Sequence, residues 1–292
     1  MTLAKTFSDY EKIENRMLYR LTVGLARAAG FIRKDMAIAI SYKLQFIFQF
    51  SQVFFSVAII YFIGKMLGNS GKSPLLEAYG ADYFSFALVG LAVASYLKTG
   101  LVTITNEIRQ IMNQGILEAM FACPMGYKGL LLCTALWPFV FETIRITFYF
   151  LIAMAIFGMR FHSANWLGAA VTMIVTIPIF LMLGITSCSI LILVKRGDPV
   201  NWFFSSASSL LAGTMFPIAV LPDWLRAVAF CLPLTHSLEA MRKCLLMGAS
   251  VWQVYHHLLA LLIFMAALLP VTVVVNNICM GRAKRKGAFS TH

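Results

Sequence analysis

Long apolar runs and short polar intervals alternate along this chain, and the runs are too long for the helices of a soluble core. Six of them recur: Leu44 to Leu67, Tyr83 to Thr105, Leu130 to Phe157, Leu167 to Val194, Val200 to Val220 and Leu258 to Met280. A helix needs about 20 apolar residues to cross a hydrocarbon layer of roughly 30 Å, and these runs are too long and too uninterrupted for barrel strands. The pattern predicts an all-α integral membrane protein with six transmembrane helices over residues 44–280. The fifth run is the weakest, because Ser205, Ser206, Ser208 and Ser209 dilute it.

Helical spacing of another kind marks the N-terminal segment, residues 1–43. Leu18, Leu21, Leu25, Ala28 and Ile32 recur at steps of three and four, with Arg16, Arg20, Arg27 and Lys34 between them. That spacing predicts an amphipathic helix lying in the membrane interface with its cations near anionic head groups; the alternative is a disordered basic tail. The segment lacks the compact apolar core and cleavage site of a signal peptide, so it is expected to stay on the mature protein. A second polar interval, Asn106 to Gly129, carries Glu107, Arg109, Glu118 and Lys128, yet it is apolar from Ile116 to Phe121 apart from Glu118. It reads as a short amphipathic helix stopped by Pro124, either a docking surface or a plain connecting loop. Residues 216–242 are broken by Pro217, Pro222 and Pro233, and Asp223, Arg226, Glu239 and Arg242 make a crossing costly. That segment is too apolar for a free loop, so it fits a re-entrant or interfacial helical hairpin on the outer face.

Composition confirms the class. Of 292 residues 60% are hydrophobic and 12% charged, with a mean hydropathy of +0.80, where soluble domains carry about a quarter charged residues. Charge then sets orientation, because flanking cations are retained in the cytoplasm. Six spans place both termini on one side, together with residues 106–129 and the basic tail 281–292. That side holds sixteen Lys and Arg, against six on the other, namely Lys65, Lys72, Arg160, Arg226, Arg242 and Lys243. Both termini are therefore expected in the cytoplasm. The net charge of +12 follows from topology and anionic lipid, and no nucleic-acid partner is needed to explain it.

Candidate chemistry is sparse. Gly68-Asn-Ser-Gly-Lys-Ser73 resembles the end of a phosphate-binding loop, but Met66 stands where a glycine is required and a membrane run precedes it where a strand is needed. It is read as a turn, and no nucleotide site is expected in this chain. No paired-cysteine or His-Glu-x-x-His spacing occurs, so no catalytic residue and no metal site are assigned. His162, His236, His256 and His257 fall on the outer side without carboxylate partners. Cys133, Cys188 and Cys279 lie in or beside spans, while Cys231 and Cys244 share the outer segment, where an oxidising face could join them.

Two constellations remain. Lys98, Glu142 and Arg145 lie within spans, where charge needs a partner. Glu142 and Arg145, three apart, share a face of the third helix, and the set is read as a structural network between helices two and three, or else as a proton or ion relay. In the fifth run Asn201, Ser205, Ser208 and Ala212 share one face, a small polar stripe that either packs against another helix or lines a path for an amphipathic solute.

The run Gly115-Ile-Leu-Glu-Ala-Met-Phe-Ala-Cys-Pro124 resembles the coupling segment of type-2 permeases of ATP-binding-cassette exporters, with Ile116 where that family usually has Thr. Phe216-Pro through Leu221-Pro-Asp-Trp-Leu, followed by Leu232-Pro-Leu-Thr-His-Ser-Leu-Glu-Ala-Met-Arg242, is similar to the family's outer hairpin before the last helix. The resemblance implies a permease that pairs as a homodimer and moves an amphipathic or lipid-like substrate across the cell membrane. It also implies that Gly115, Ile116, Leu117, Glu118, Ala119, Met120, Phe121 and Pro124 dock a cytosolic ATPase subunit, which binds ATP and Mg while this chain binds no cofactor. The rival readings are an ion-coupled secondary transporter, which predicts helices broken near mid-membrane, for instance at Pro178, and a membrane-embedded enzyme.

Overall fold

The computed structural model describes residues 24, 26–67, 79, 82–115, 126–161, 163–194 and 198–285. Leu18, Leu21, Leu25, Gly68 to Ser73, His162 and the tail beyond Arg285 lie outside the described residues. Helices α1 (26–41), α2 (Lys43–Leu67), α3 (Tyr83–Lys98) and α4 (Ile104–Asn113) open the fold. They are followed by α5 (Gly126–Ala155), α6 (Trp166–Val194), α7 (Pro199–Leu211), α8 (Asp223–Phe230), α9 (Pro233–Leu246) and α10 (Tyr255–Arg285). No strand occurs among the described residues.

Among those residues, five helical segments are long and apolar enough to cross a membrane: Ile47–Leu67, Tyr83–Asn113, Leu132–Ala155, Trp166–Val194 and Tyr255–Arg282. The second and fourth form the centre. Their most apolar windows are 67% and 56% buried inside the chain, against 17% for the first and last. The outer helices thus turn most of their apolar surface away from the chain, with Phe48, Phe55 and Phe62 of α2 all exposed. Pro178 does not break α6, which is continuous through it.

The fifth run needs correction, because Val200 to Val220 is not one helix. α7 has 13 residues, about 20 Å at 1.5 Å per residue. Beyond it Gly213 takes φ +77°, a left-handed conformation that glycine adopts without the Cβ penalty. Pro217 and the 3-10 turn Ile218–Val220 follow. Its neighbours α6 and α10 run parallel. Asn165, just before α6, donates to the Ala249 carbonyl ahead of α10 (3.1 Å), and further along Thr186 meets Thr272 (3.0 Å). Asp198 sits against Ser187 near the end of α6, whereas Thr214 sits against Arg242 near the start of α3.

Three further boundaries shift. The second span does not stop at Thr105: a π-helical segment, Thr99–Thr103, joins α3 to α4 in one continuous helix. Residues 106–113 therefore continue a membrane helix instead of opening a separate polar interval, since nothing before Gly115 breaks the helix and Ile104 and Ile108 are buried. Two short helices, α8 and α9, occupy the segment read as a hairpin; they extend it to Leu246, and Pro233 sits in the first turn of α9. Two of its four charges are tucked inward: Asp223 pairs with Arg226 at the surface (3.3 Å), while Glu239 and Arg242 are buried. Cys231 and Cys244 are free thiols, one exposed and the other buried. Burial raises the Cys244 thiol above its ordinary value.

Candidate functional site

The polar stripe of α7 is organised from its first turn. Pro199 fixes the backbone at the helix start, and the Asp198 carboxylate caps it, accepting the Asn201 N–H (3.0 Å) and the Ser187 hydroxyl. One turn on, Ser205 donates to the Asn201 side-chain oxygen (2.8 Å). Asn201, Ser205 and Ser208 then line a cavity of about 630 Å³ that faces Leu91, Ala94 and Lys98 of α3. Thr214, Met215 and Leu234 bound the same space on the hairpin side. Ala212, the fourth residue of the stripe, is not part of the wall. It is fully buried, and its N–H closes the helix on the Ser208 carbonyl (3.2 Å).

The cavity is apolar along its length and charged at one end, where Asp198 and Lys98 both contribute. Asp198 Oδ2 is buried with no hydrogen-bond partner among the described residues. An apolar slot with a few fixed polar groups suits a molecule that has a greasy body and a polar head. Among the described residues no three of His, Cys, Asp and Glu gather as they would to hold a metal ion.

The intramembrane charges separate into a network and an outlier. Glu142 is 2% exposed. It takes a two-pronged contact from the Arg145 guanidinium (2.5 and 2.7 Å) and the Thr99 hydroxyl (2.9 Å). Thr99 opens the π-helical segment, so the extra residue in that turn brings a hydroxyl from the α3 side onto a carboxylate of α5. Tyr96 adds a second link, donating to Thr143 (2.9 Å). The Glu142 and Arg145 pair thus ties these helices together. Lys98 makes no ion pair with Glu142; it is exposed and borders the α7 cavity.

Of the residues assigned to docking, only Gly115 is described. It stands at φ +69° just past α4, where its N–H meets the Met112 carbonyl (3.1 Å) and ends the helix. Ile116, Leu117, Glu118, Ala119, Met120, Phe121 and Pro124 lie outside the described residues.

A cluster not assigned from sequence closes the hairpin end. The Arg242 guanidinium is completely buried, lies 3.5 Å from the centroid of the Phe86 ring, and donates to the carbonyls of Thr214 (2.9 Å) and Phe86 (3.4 Å). Tyr79 donates to Glu239 (2.7 Å) one turn away on α9. Burial pushes the Arg242 guanidinium down to about 10, against the opposing pull of the Glu239 charge, so it stays protonated at neutral pH. Burial, with Glu239 beside it, drives the Tyr79 phenol well above its ordinary value and keeps it a donor. Gly90 makes the approach possible: a Cβ there would overlap the Thr214 carbonyl oxygen and lie 2.7 Å from Arg242 Nη2. The available signal was two charges three apart in a short apolar segment; nothing in the apolar run around Phe86 marks it as their partner.

Residues 37–246 match the family model described as ABC-2 type transporter, a stretch that includes α2 to α9 and every cluster described above. Comparison with curated proteins gave no match.

Proposed function

The chain belongs to the ABC-2 type transporter family, whose members are the membrane permease components of these transporters, and from that premise we propose that it is half of an exporter. Two copies associate about a two-fold axis, and the α7 cavities together form the route of an amphipathic or lipid-like cargo. Each copy docks a cytosolic ATPase subunit through Gly115, Ile116, Leu117, Glu118, Ala119, Met120, Phe121 and Pro124. ATP and Mg bind in that partner, and no nucleic acid takes part.

The observation that carries this reading is the cavity of about 630 Å³ walled by Asn201, Ser205 and Ser208. Its charged end lies near the end of α6 and its other end beneath the hairpin, so it follows the direction in which cargo must move. A six-crossing topology with both termini in the cytoplasm is supported by the parallel course of α6 and α10 together with the bias of cations. In that topology α8 and α9 dip into the membrane from outside, where Arg242 and Glu239 find partners in protein instead of lipid.

Ser205→Trp and Ser208→Trp test the route. An indole at either position occupies the cavity, and transport of a fluorescent amphiphile by permease and ATPase reconstituted in vesicles should fall at least tenfold. The ATPase should remain bound and the dimer intact. Wild-type transport by both variants would mean that this face of α7 does not meet the cargo.

A further inference from the structure

A second cavity, of about 620 Å³, is lined by α1, α2, α4, α5 and the π-helical turn, and shares Lys98 and Val102 with the cavity along the stripe. It is not part of the proposed route, and its wall is charged and aromatic. Asp35, Glu107 and Glu142 contribute carboxylates, Lys98 and Arg145 cations, and Tyr42, Trp137 and Phe141 ring surface.

Among the described residues, no ion pair includes Glu107. Glu142 is held by Arg145 and Thr99, and Asp35 pairs with Lys34 (2.8 Å). Lys98 precedes Glu107 by nine residues on the same helix, about 13 Å along its axis. Glu107 Oε2 is buried with no hydrogen-bond partner among the described residues, and so is Arg145 Nε, a donor on the same wall. The missing group at Glu107 is therefore a donor with positive charge, and near Arg145 an acceptor. A buried polar atom without a partner costs about 1 to 3 kcal/mol, and more when it is charged. That cost favours an occupant that supplies both groups.

We infer that this cavity binds an amphiphile with an N–H ammonium head, held by Glu107 and flanked by the rings of Tyr42, Trp137 and Phe141. The ammonium neutralises Glu107, the rings suit alkyl groups and cationic edges alike, and an oxygen farther along the same molecule meets Arg145. Because α1 forms one wall, the occupant sits where a membrane-surface helix meets the bundle. Two sources carry this chemistry: the head group of phosphatidylethanolamine, or a soluble amphipathic amine.

The test uses the full chain in nanodiscs of phosphatidylcholine, whose head group has no N–H, with isotope-labelled 3-phenylpropylamine as probe and 3-phenylpropanol as its uncharged match. The amine should bind at least tenfold more tightly than the alcohol, and Glu107→Gln should remove that preference without changing the chain's elution as a folded species. Should Glu107→Gln fail to fold, Gln110→Trp, which narrows the cavity from an exposed position on α4, should lower amine binding by a similar factor. Competition by added phosphatidylethanolamine would identify the lipid head group as the natural occupant, and its failure to compete would identify a soluble amine. Equal binding of amine and alcohol, or wild-type binding by Glu107→Gln, would overturn the assignment.

Discussion

Arg242 offers the most searching test of the fold, because its replacement pits two large effects against each other. In Arg242→Met the side chain keeps much of its volume and loses its charge. The loss strips the Thr214 carbonyl of a donor at 2.9 Å and the Phe86 carbonyl of one at 3.4 Å, each worth about 1 to 3 kcal/mol if left unsatisfied. The contact over the Phe86 ring at 3.5 Å adds up to about 2 kcal/mol. Against this, burial already disfavours the guanidinium, lowering it to about 10, and an apolar side chain is free of that penalty. The sign is decided by Glu239. It is 8% exposed, three residues away on the same face of α9, and without Arg242 it becomes a buried carboxylate with no counter-charge, a change that costs about 3 to 5 kcal/mol. Arg242→Met should therefore destabilise by about 3 to 5 kcal/mol. Adding Glu239→Gln removes the orphaned charge while leaving an oxygen for Tyr79, and should restore about 2 kcal/mol, within the range of coupling between neighbouring residues. Denaturant titration of the four purified chains in mild detergent, followed by circular dichroism, reads both numbers. An Arg242→Met chain within about 0.5 kcal/mol of wild type, or two substitutions whose effects simply add, would refute this reasoning.

Two other outcomes follow from the geometry. In a cysteine-free background Asp223→Cys, whose native side chain is 96% exposed, should react with an impermeant reagent from outside, and Ser290→Cys should not. Glu239→Cys should stay protected despite lying on the same hairpin, and labelling of Ser290→Cys from outside would overturn the orientation. On α7, Ala212→Trp should destabilise the chain instead of blocking a folded one, because Ala212 is 0% exposed and lies off the cavity wall, whereas Ser205 lines it and is only partly buried; a stable, blocked Ala212→Trp chain would show that the wall is misplaced.

The class of the protein and the positions of five long apolar helices were legible in the sequence, because each rests on length and apolarity alone. The stripe was legible for the same kind of reason, since Asn201, Ser205 and Ser208 share a face whatever they meet. Ala212 falls on that face too, but a helix end lies there, and Gly213 turns the chain before another wall residue can be placed. The pairing of Glu142 with Arg145 was legible from their spacing. That Thr99 would join them was not, because the π-helical turn rotates Thr99 relative to a regular helix. The Arg242 cluster unites residues separated by up to 160 positions, a distance over which periodicity carries no information. The second cavity was hidden for a similar reason: in sequence Glu107 reads as part of a separate polar interval between two spans, whereas it lies on the helix continued from the second span.

The central claim is that this chain is a permease driven by a separate ATPase. The most direct measurement is to purify the full chain from its native membrane, assay the preparation for ATP hydrolysis, and repeat both steps with Glu118→Arg. The account predicts a stoichiometric ATPase subunit in the wild-type preparation and its loss from the Glu118→Arg preparation, with the permease still in the membrane. A chain free of any ATPase that moves an amphiphile in response to an imposed ion gradient alone would contradict it.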